Sequence, residues 1–329
     1  MIWLLPANIV LFAALSLTQP RFFSGLNFQA LLSSLAITVA ISLGQMVVIA
    51  SGGMNISLGS IGALGGLASC YAMLHSGLPL FLDFGVGLVV GALCGTFNGF
   101  LVGQFGLSAF IVTLGSSGMF TAIALGLTEV QPLEGLPGSF IRIGVGNLGG
   151  VPILFVFVAC SVILVAGFMR YTGFGRQVLA LGGNAGASQL VGIRRRRVLM
   201  GVHLLSGVLA AWAGILTMAQ LGQGQPDIGS DWLLGSFAAP IIGGTLFAGG
   251  YLSVAGTCLG AGLLTLVSSG VVFVRLNAEW VLVLQGLVVV CAAVLERARL
   301  ARSLRAGRLH TYLRMGRTGR KPGRDLVRT

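Results

Sequence analysis

Apolar runs of bilayer-crossing length follow one another along nearly the whole chain, parted by short clusters of polar residues, glycine or proline. A helix needs roughly 20 apolar residues to cross the hydrocarbon core. An ordinary soluble domain has roughly a quarter of its residues charged, whereas this chain has 9% charged and 55% hydrophobic. A soluble fold is thereby excluded. A membrane barrel would need segments of about ten residues alternating apolar and polar, and the runs do not alternate. The fold class is therefore all-α, a polytopic helical membrane protein. Its 52 glycines show no three-residue period and lie within the apolar runs, where small residues let helices pack closely.

The runs near 2–18, 30–50, 57–76, 80–103, 108–128, 151–169, 199–219, 234–249, 252–274 and 279–295 predict about ten transmembrane helices. That leaves no room for a large soluble domain. Residues 1–295 read as the transmembrane domain, with a long loop at 170–198, and 296–329 as a basic tail. The loop holds Arg170, Arg176 and Arg194–Arg197, and the tail holds eleven basic residues. By the positive-inside rule both are cytoplasmic. Loops 129–150 and 220–233, with Glu129, Glu134, Asp227 and Asp231 against Arg142, face outward, and the span parity is consistent with this. The first 17 residues have no basic residue ahead of Arg21, which makes a poor secretory signal and a marginal first span.

Several function classes lack their residues. The only lysine, Lys321, precedes Pro322 and belongs to no phosphate-binding GxxxxGK[ST] sequence, so the chain cannot form the phosphate cradle of a P-loop ATPase, and any ATP must be hydrolysed elsewhere. His75, His203 and His310 lie far apart, and no metal site is indicated. The match of Gly144–Gly149 to GxGxxG has no strand before it and is read as chance. Cys70, Cys94, Cys160, Cys258 and Cys291 form no CxxC pair and read as packing residues. The net charge of +12 reports membrane orientation, with no nucleic-acid partner expected. No charge falls in the middle of a run, which counts against an ion-gradient-driven secondary carrier. No paired carboxylates or Ser/His/Asp arrangement point to an intramembrane enzyme.

Gly87, Gly91, Gly95, Gly99 and Gly103 recur every four residues, which places them on one helix face for close packing. Three stretches go beyond generic membrane sequence. Ser51-Gly52-Gly53-Met54-Asn55-Ile56-Ser57-Leu58-Gly59-Ser60 is a polar break, either a short cytoplasmic turn or non-helical backbone at membrane depth, which is tolerated only where protein buries it or water reaches it. Asn98-Gly99 through Thr113-Leu114-Gly115 is the second, where the Thr113 hydroxyl could bond its own helix carbonyls. The third runs from Thr172-Gly173-Phe174-Gly175-Arg176 through Gly182-Gly183-Asn184-Ala185 to Gly192-Ile193, with a small-residue helix bounded by Asn184 and Gly192.

Together with Ala238-Ala239-Pro240-Ile241-Ile242-Gly243-Gly244 through Gly250, these stretches resemble, in order over residues 22 to 295, the permease subunits of bacterial ribose/xylose-type ABC sugar importers. The resemblance implies an ABC importer permease of the bacterial inner membrane, a homodimer or a pair with a homologous permease. An ABC ATPase partner would bring ATP and Mg, with no cofactor on this chain, and a periplasmic substrate-binding protein would deliver a monosaccharide or polyol. It places Gly182, Gly183, Asn184, Ala187, Leu190, Gly192 and Ile193 in the ATPase-coupling loop. Gly52, Gly53, Asn55, Ser57, Asn98, Thr113, Gly243 and Gly244 are the translocation-path candidates, because sugar hydroxyls need neutral hydrogen-bonding groups. The chain departs from the family at Asn55, where aspartate is usual, at Ala185, where an acid is common, at Pro240, and at the uncharged loop 104–107. The alternatives are a secondary carrier or an ABC permease for amino acids or nucleosides. The tail, with Arg299, Arg302, Arg305 and Arg308 interleaved with leucines, reads as a solvated topology anchor or as a helix lying on membrane lipid.

Overall fold

The computed structural model describes residues 3–273, 277, 280–287, 290–291 and 294. Helix α1 (Leu4–Thr18) leads through a 3-10 turn into α2 (Gly25–Ala50), α3 (Leu58–His75), α4 (Leu80–Gln104) and α5 (Ala109–Leu127). A short helix α6 (Gly138–Val145) and a two-residue hairpin, β1 (Asn147–Leu148) with β2 (Val151–Pro152), precede α7 (Ile153–Tyr171). Then come α8 (Gly173–Gly183), α9 (Ala185–Leu190), α10 (Arg195–Leu221), α11 (Trp232–Ile242) and α12 (Val254–Phe273). The protein is all-α, and among the described residues seven helices (α2, α3, α4, α5, α7, α10 and α12) are long and apolar enough to cross a membrane.

Two expected spans are shorter. Helix α1 has 15 residues and α11 has 11, so α11 reaches only about 16 Å at 1.5 Å per residue. The predicted run 234–249 is thus not one helix. Pro240 contributes no amide to the last turn of α11, and residues 243–253 are irregular, with Gly244, Gly249 and Gly250 at left-handed φ. Residues 280–287 are helical and belong to the last expected span, while the tail at 296–329 lies outside the described residues. The 170–198 connection is largely helical: α8 is capped by the Thr172 hydroxyl and α9 by the Asn184 carboxamide oxygen. Arg195–Arg197 form the first turn of α10.

Helix α10 is the centre of the bundle, packed by α2, α3, α4 and α6. Its antiparallel contact with α4 follows the glycine stripe residue by residue. A side chain at Gly91 would run into the Gly207 carbonyl, one at Gly95 into the His203 carbonyl, and a Cβ at Gly99 would sit 2.7 Å from the Met200 Cα. Gly103 meets Arg196 in the same way at 2.9 Å, while Gly87 faces Gly65 of α3. On α10, Gly207 and Gly214 return the contact to Gly91 and Gly62. Backbone lies against backbone here, which maximises van der Waals contact where no hydrophobic effect separates helix from lipid.

Filling this seam is expected to cost at least about 1–3 kcal/mol of overpacking. Gly95→Leu should therefore lower the thermal midpoint of the detergent-purified protein and broaden its gel-filtration peak. Gly118→Leu, where an added Cβ meets nothing within 4 Å, should leave both unchanged.

Candidate functional site

Where a helix breaks at membrane depth, each freed backbone group needs a partner from protein. The break after α2 shows how this chain supplies them. Ser51 closes the helix, its hydroxyl donating to the Val48 carbonyl at 2.7 Å, and Gly52 turns the chain at φ +82°. The amide of Ile56 donates to Thr113 Oγ1 of α5 at 3.1 Å, while the Thr113 hydroxyl donates back to the Ala109 carbonyl at 2.7 Å. The Asn55 carboxamide donates to Ser206 Oγ of α10 at 3.0 Å and accepts from the Ser57 hydroxyl at 2.8 Å. Asn98 of α4 donates to Ser57 Oγ at 2.8 Å. Asn55, Ser57, Asn98, Thr113 and Ser206 are all fully buried.

Four of the residues singled out in the sequence, Asn55, Ser57, Asn98 and Thr113, therefore form one uncharged cluster that ties the break to α4, α5 and α10. Asn98 lies six residues before the end of α4, which puts the cluster about 9 Å inside that end of the bundle. The break is thus not a surface turn. Asparagine at 55 suits this geometry, because its amide donates to Ser206 while its oxygen accepts from Ser57, whereas a carboxylate only accepts. Ser206 escaped notice in the sequence, and the neighbouring His203 was read only as one of three scattered histidines, since a lone serine or histidine in an apolar run gives no local signal. Gln45, the Asn98 Oδ1 and the His203 Nδ1 are buried without partners, an uncommon condition for buried polar groups.

The cluster stands between two cavities. One, of about 400 Å³, is lined by Gly53, Ser108, Gly182, Asn184, Arg195 and His203. The other, of about 190 Å³, is lined by Ile56, Gly59, Thr121, Asp227 and Trp232. They lie against opposite halves of α5, at Ala109 and at Ser117–Leu125.

A second junction joins the break to the long loop. The Gly250 amide donates to the Ala50 carbonyl at 2.9 Å. A Cβ at Gly182 would strike that same carbonyl, and one at Gly249 would lie 2.7 Å from the Gly52 amide nitrogen and 3.0 Å from the Gly182 Cα. Gly52, Gly182, Gly183, Gly249 and Gly250 thus meet through backbone alone. Gly243 packs instead on Gly256 of α12, and a Cβ at Gly244 would meet nothing within 4 Å, so these two path candidates do not join the polar cluster. Beyond Gly183 the loop turns outward. Asn184 Oδ1 accepts from the Ala187 amide at 2.9 Å, the Ile193 amide closes on the Ser188 carbonyl at 3.0 Å, and Gly192 sits at φ +84°. Leu190 is 90% exposed and Val191 75%.

The segment expected as an outward loop, 220–233, does not stay at the bundle end. Gly224 pairs with Leu133 near Cys70 of α3, and five residues later Gly229 lies against Gly59 at the opposite end of that helix. The chain therefore re-enters alongside α3, which is why α11 is only a half-length helix.

The family described as branched-chain amino acid transport system / permease component matches residues 27–293. This chain belongs to that permease family. The permease is 32% identical over 295 residues to the ribose import permease protein of Haemophilus influenzae, an alignment covering 88% of this chain and 91% of the relative. It is 28% identical over 282 residues to the D-allose transport system permease protein of Escherichia coli, covering 86% of each. It is 31% identical over 290 residues to an autoinducer 2 import system permease protein of Yersinia enterocolitica, covering 88% and 80%. The permease is a transport component and a multi-pass inner-membrane protein.

Breaking the Asn55–Ser206 bond should orphan a buried partner and cost about 1–3 kcal/mol. In a double-mutant cycle of Asn55→Ala and Ser206→Ala, read by denaturant unfolding in micelles, a coupling of about 0.6–1.7 kcal/mol is expected; strictly additive effects would mean the bond carries no stability.

Proposed function

We propose that this permease is the membrane subunit of an ATP-driven importer for a neutral monosaccharide or related polyol. The observation that carries the reading is the chemistry of the buried cluster. Asn55, Ser57, Asn98, Thr113 and Ser206 offer donors and acceptors but no ionisable group, which suits sugar hydroxyls and leaves no carboxylate there for ion coupling. The sugar import relatives support the same substrate class.

ATP and Mg belong to a partner ATPase, and the exposed Leu190 and Val191 of the α9 knob are its docking surface. The C-terminal tail and this loop are cytoplasmic, and a periplasmic binding protein delivers the sugar from the other face. A second copy of the chain, or a homologous permease, completes the importer. When the ATPase domains close, α9 moves, and Gly182–Gly183 transmit the motion by backbone contact to Gly52 and Gly249–Gly250. That displaces the polar cluster, which separates the two cavities, and alternates access between them. Gly91, Gly95, Gly99 and Gly103 keep α4 and α10 together as one rigid unit, and Gly87 ties α4 to α3.

The family description favours a second reading, an amino-acid permease, so the first test uses both substrate types. Tagged permease is purified in mild detergent with its co-purifying chains, reconstituted, and assayed for uptake of D-ribose and L-leucine. Recovery of an ATPase with ATP-dependent D-ribose uptake is expected; L-leucine uptake alone would replace the sugar reading. Leu190→Asp removes about 1.5–3 kcal/mol of apolar burial at the interface, so recovered ATPase should fall by roughly tenfold or more. Undiminished recovery would remove α9 from the docking surface.

A further inference from the structure

The re-entrant segment brings a second set of polar groups to the half-helix α11. A cavity of about 560 Å³ lies between α2, α11, α12 and residues 280–287, and Gln220, Asp231, Trp232, Gly235, Ser268 and Gln285 contribute to its lining. Its size falls in the roughly 300–1,000 Å³ range of small-ligand sites. Among the described residues, the side chains of Gln220, Asp231 and Gln285 have no hydrogen-bond partner. Asp231 is the residue before α11, with no side-chain cap bond to the helix. The Gln285 carboxamide stands 3.8 Å from where a Cβ of Gly235 would lie.

The geometry points to this cavity as a sugar subsite of the permease, selective for neutral polyhydroxylated ligands and closed to anions. The assignment rests on the monosaccharide reading above and adds to it the residues that recognise the ligand. Two carboxamides and a carboxylate provide donors and acceptors for adjacent hydroxyls. The Trp232 indole, which also lines the smaller cavity, offers an apolar face to the C–H side of the ring. Half-helix N-termini within membranes ordinarily attract anionic substrate groups. Here the chain places its own carboxylate, Asp231, at that position, and among the described residues no arginine, lysine or histidine lines the cavity. A carboxylate or phosphate entering it would meet like charge without a counter-ion. Gly235 keeps the floor clear, since a larger side chain on that face of α11 would extend into the space that Gln285 borders.

The test is D-ribose uptake by the reconstituted importer, with the ATPase recovered at purification as the measure of intact assembly. Gly235→Leu fills the cavity and Asp231→Asn removes the charged acceptor; Gly118→Leu, with open space around it, is the control. For Asp231→Asn the KM for D-ribose should rise roughly tenfold, the size of a lost charged hydrogen bond. Gly235→Leu should raise it at least as much, with ATPase recovery unchanged in both. D-ribonate should compete poorly against wild type and better against Asp231→Asn. Wild-type KM in both variants would overturn the subsite while leaving the monosaccharide reading standing. No uptake of D-ribose, D-xylose or D-allose by wild type would overturn that reading, and the subsite with it. Where Gly235→Leu loses its ATPase, the exposed Asp231→Asn alone decides.

Discussion

A bilayer offers no water to backbone groups that a broken helix leaves unpaired, and the architecture of this permease follows from how it meets that constraint. Glycine-rich segments from distant parts of the chain satisfy one another. The Ala50 carbonyl takes the Gly250 amide, the Ile56 amide finds the Thr113 hydroxyl, and the Gly224 amide pairs with the Leu133 carbonyl. Each pairing requires close approach, so a Cβ is excluded at Gly182, Gly249 and Gly250. The same closeness makes the loop and the breaks mechanically continuous: α8 cannot shift without moving the backbone at residues 50–52 and 249–250.

In the proposed mechanism the polar cluster converts that continuity into a gate. Its groups bond to one another in the present conformation and separate two cavities, yet they come from the break and three helices that a small relative motion would part. The unused Oδ1 of Asn98, and the unpartnered Nδ1 of His203 one turn along α10 from Ser206, leave hydrogen-bonding capacity for a second arrangement. Because no member is charged, such re-pairing costs no buried ion. Two further residues singled out in the sequence fit the same design. Asn55 makes a donation to Ser206 that a carboxylate could not, and Asn184 caps α9 through its carboxamide oxygen.

Much of this was legible in the sequence because it was local. Four-residue glycine spacing identifies a packing face without knowledge of its partner, and an Asn–Gly frame around small residues marks a short capped helix. The Asn55-Ile56-Ser57 break announced itself as polar residues between apolar runs. Long-range pairing was not legible. Nothing near Ser206 says that it faces Asn55, and nothing near Gly182 says that it abuts Ala50. The path of the re-entrant segment was not legible for a related reason: Pro226, Asp227 and Asp231 have the composition of an exposed loop, and only the contact of Gly229 with Gly59 reveals how far along α3 the chain runs. Composition marks Asp227 and Asp231 as exposed, which they are, but does not show that each lines a cavity.

The most direct measurement of the link between loop and gate is the number of D-ribose molecules imported per ATP hydrolysed by reconstituted Gly182→Ala. Its ATPase knob, α9, is untouched, but the added Cβ meets the Ala50 carbonyl at the junction. The expected result is an importer that still binds its ATPase and hydrolyses ATP while the ratio falls well below wild type. An unchanged ratio, with the ATPase bound, would contradict transmission through this backbone contact.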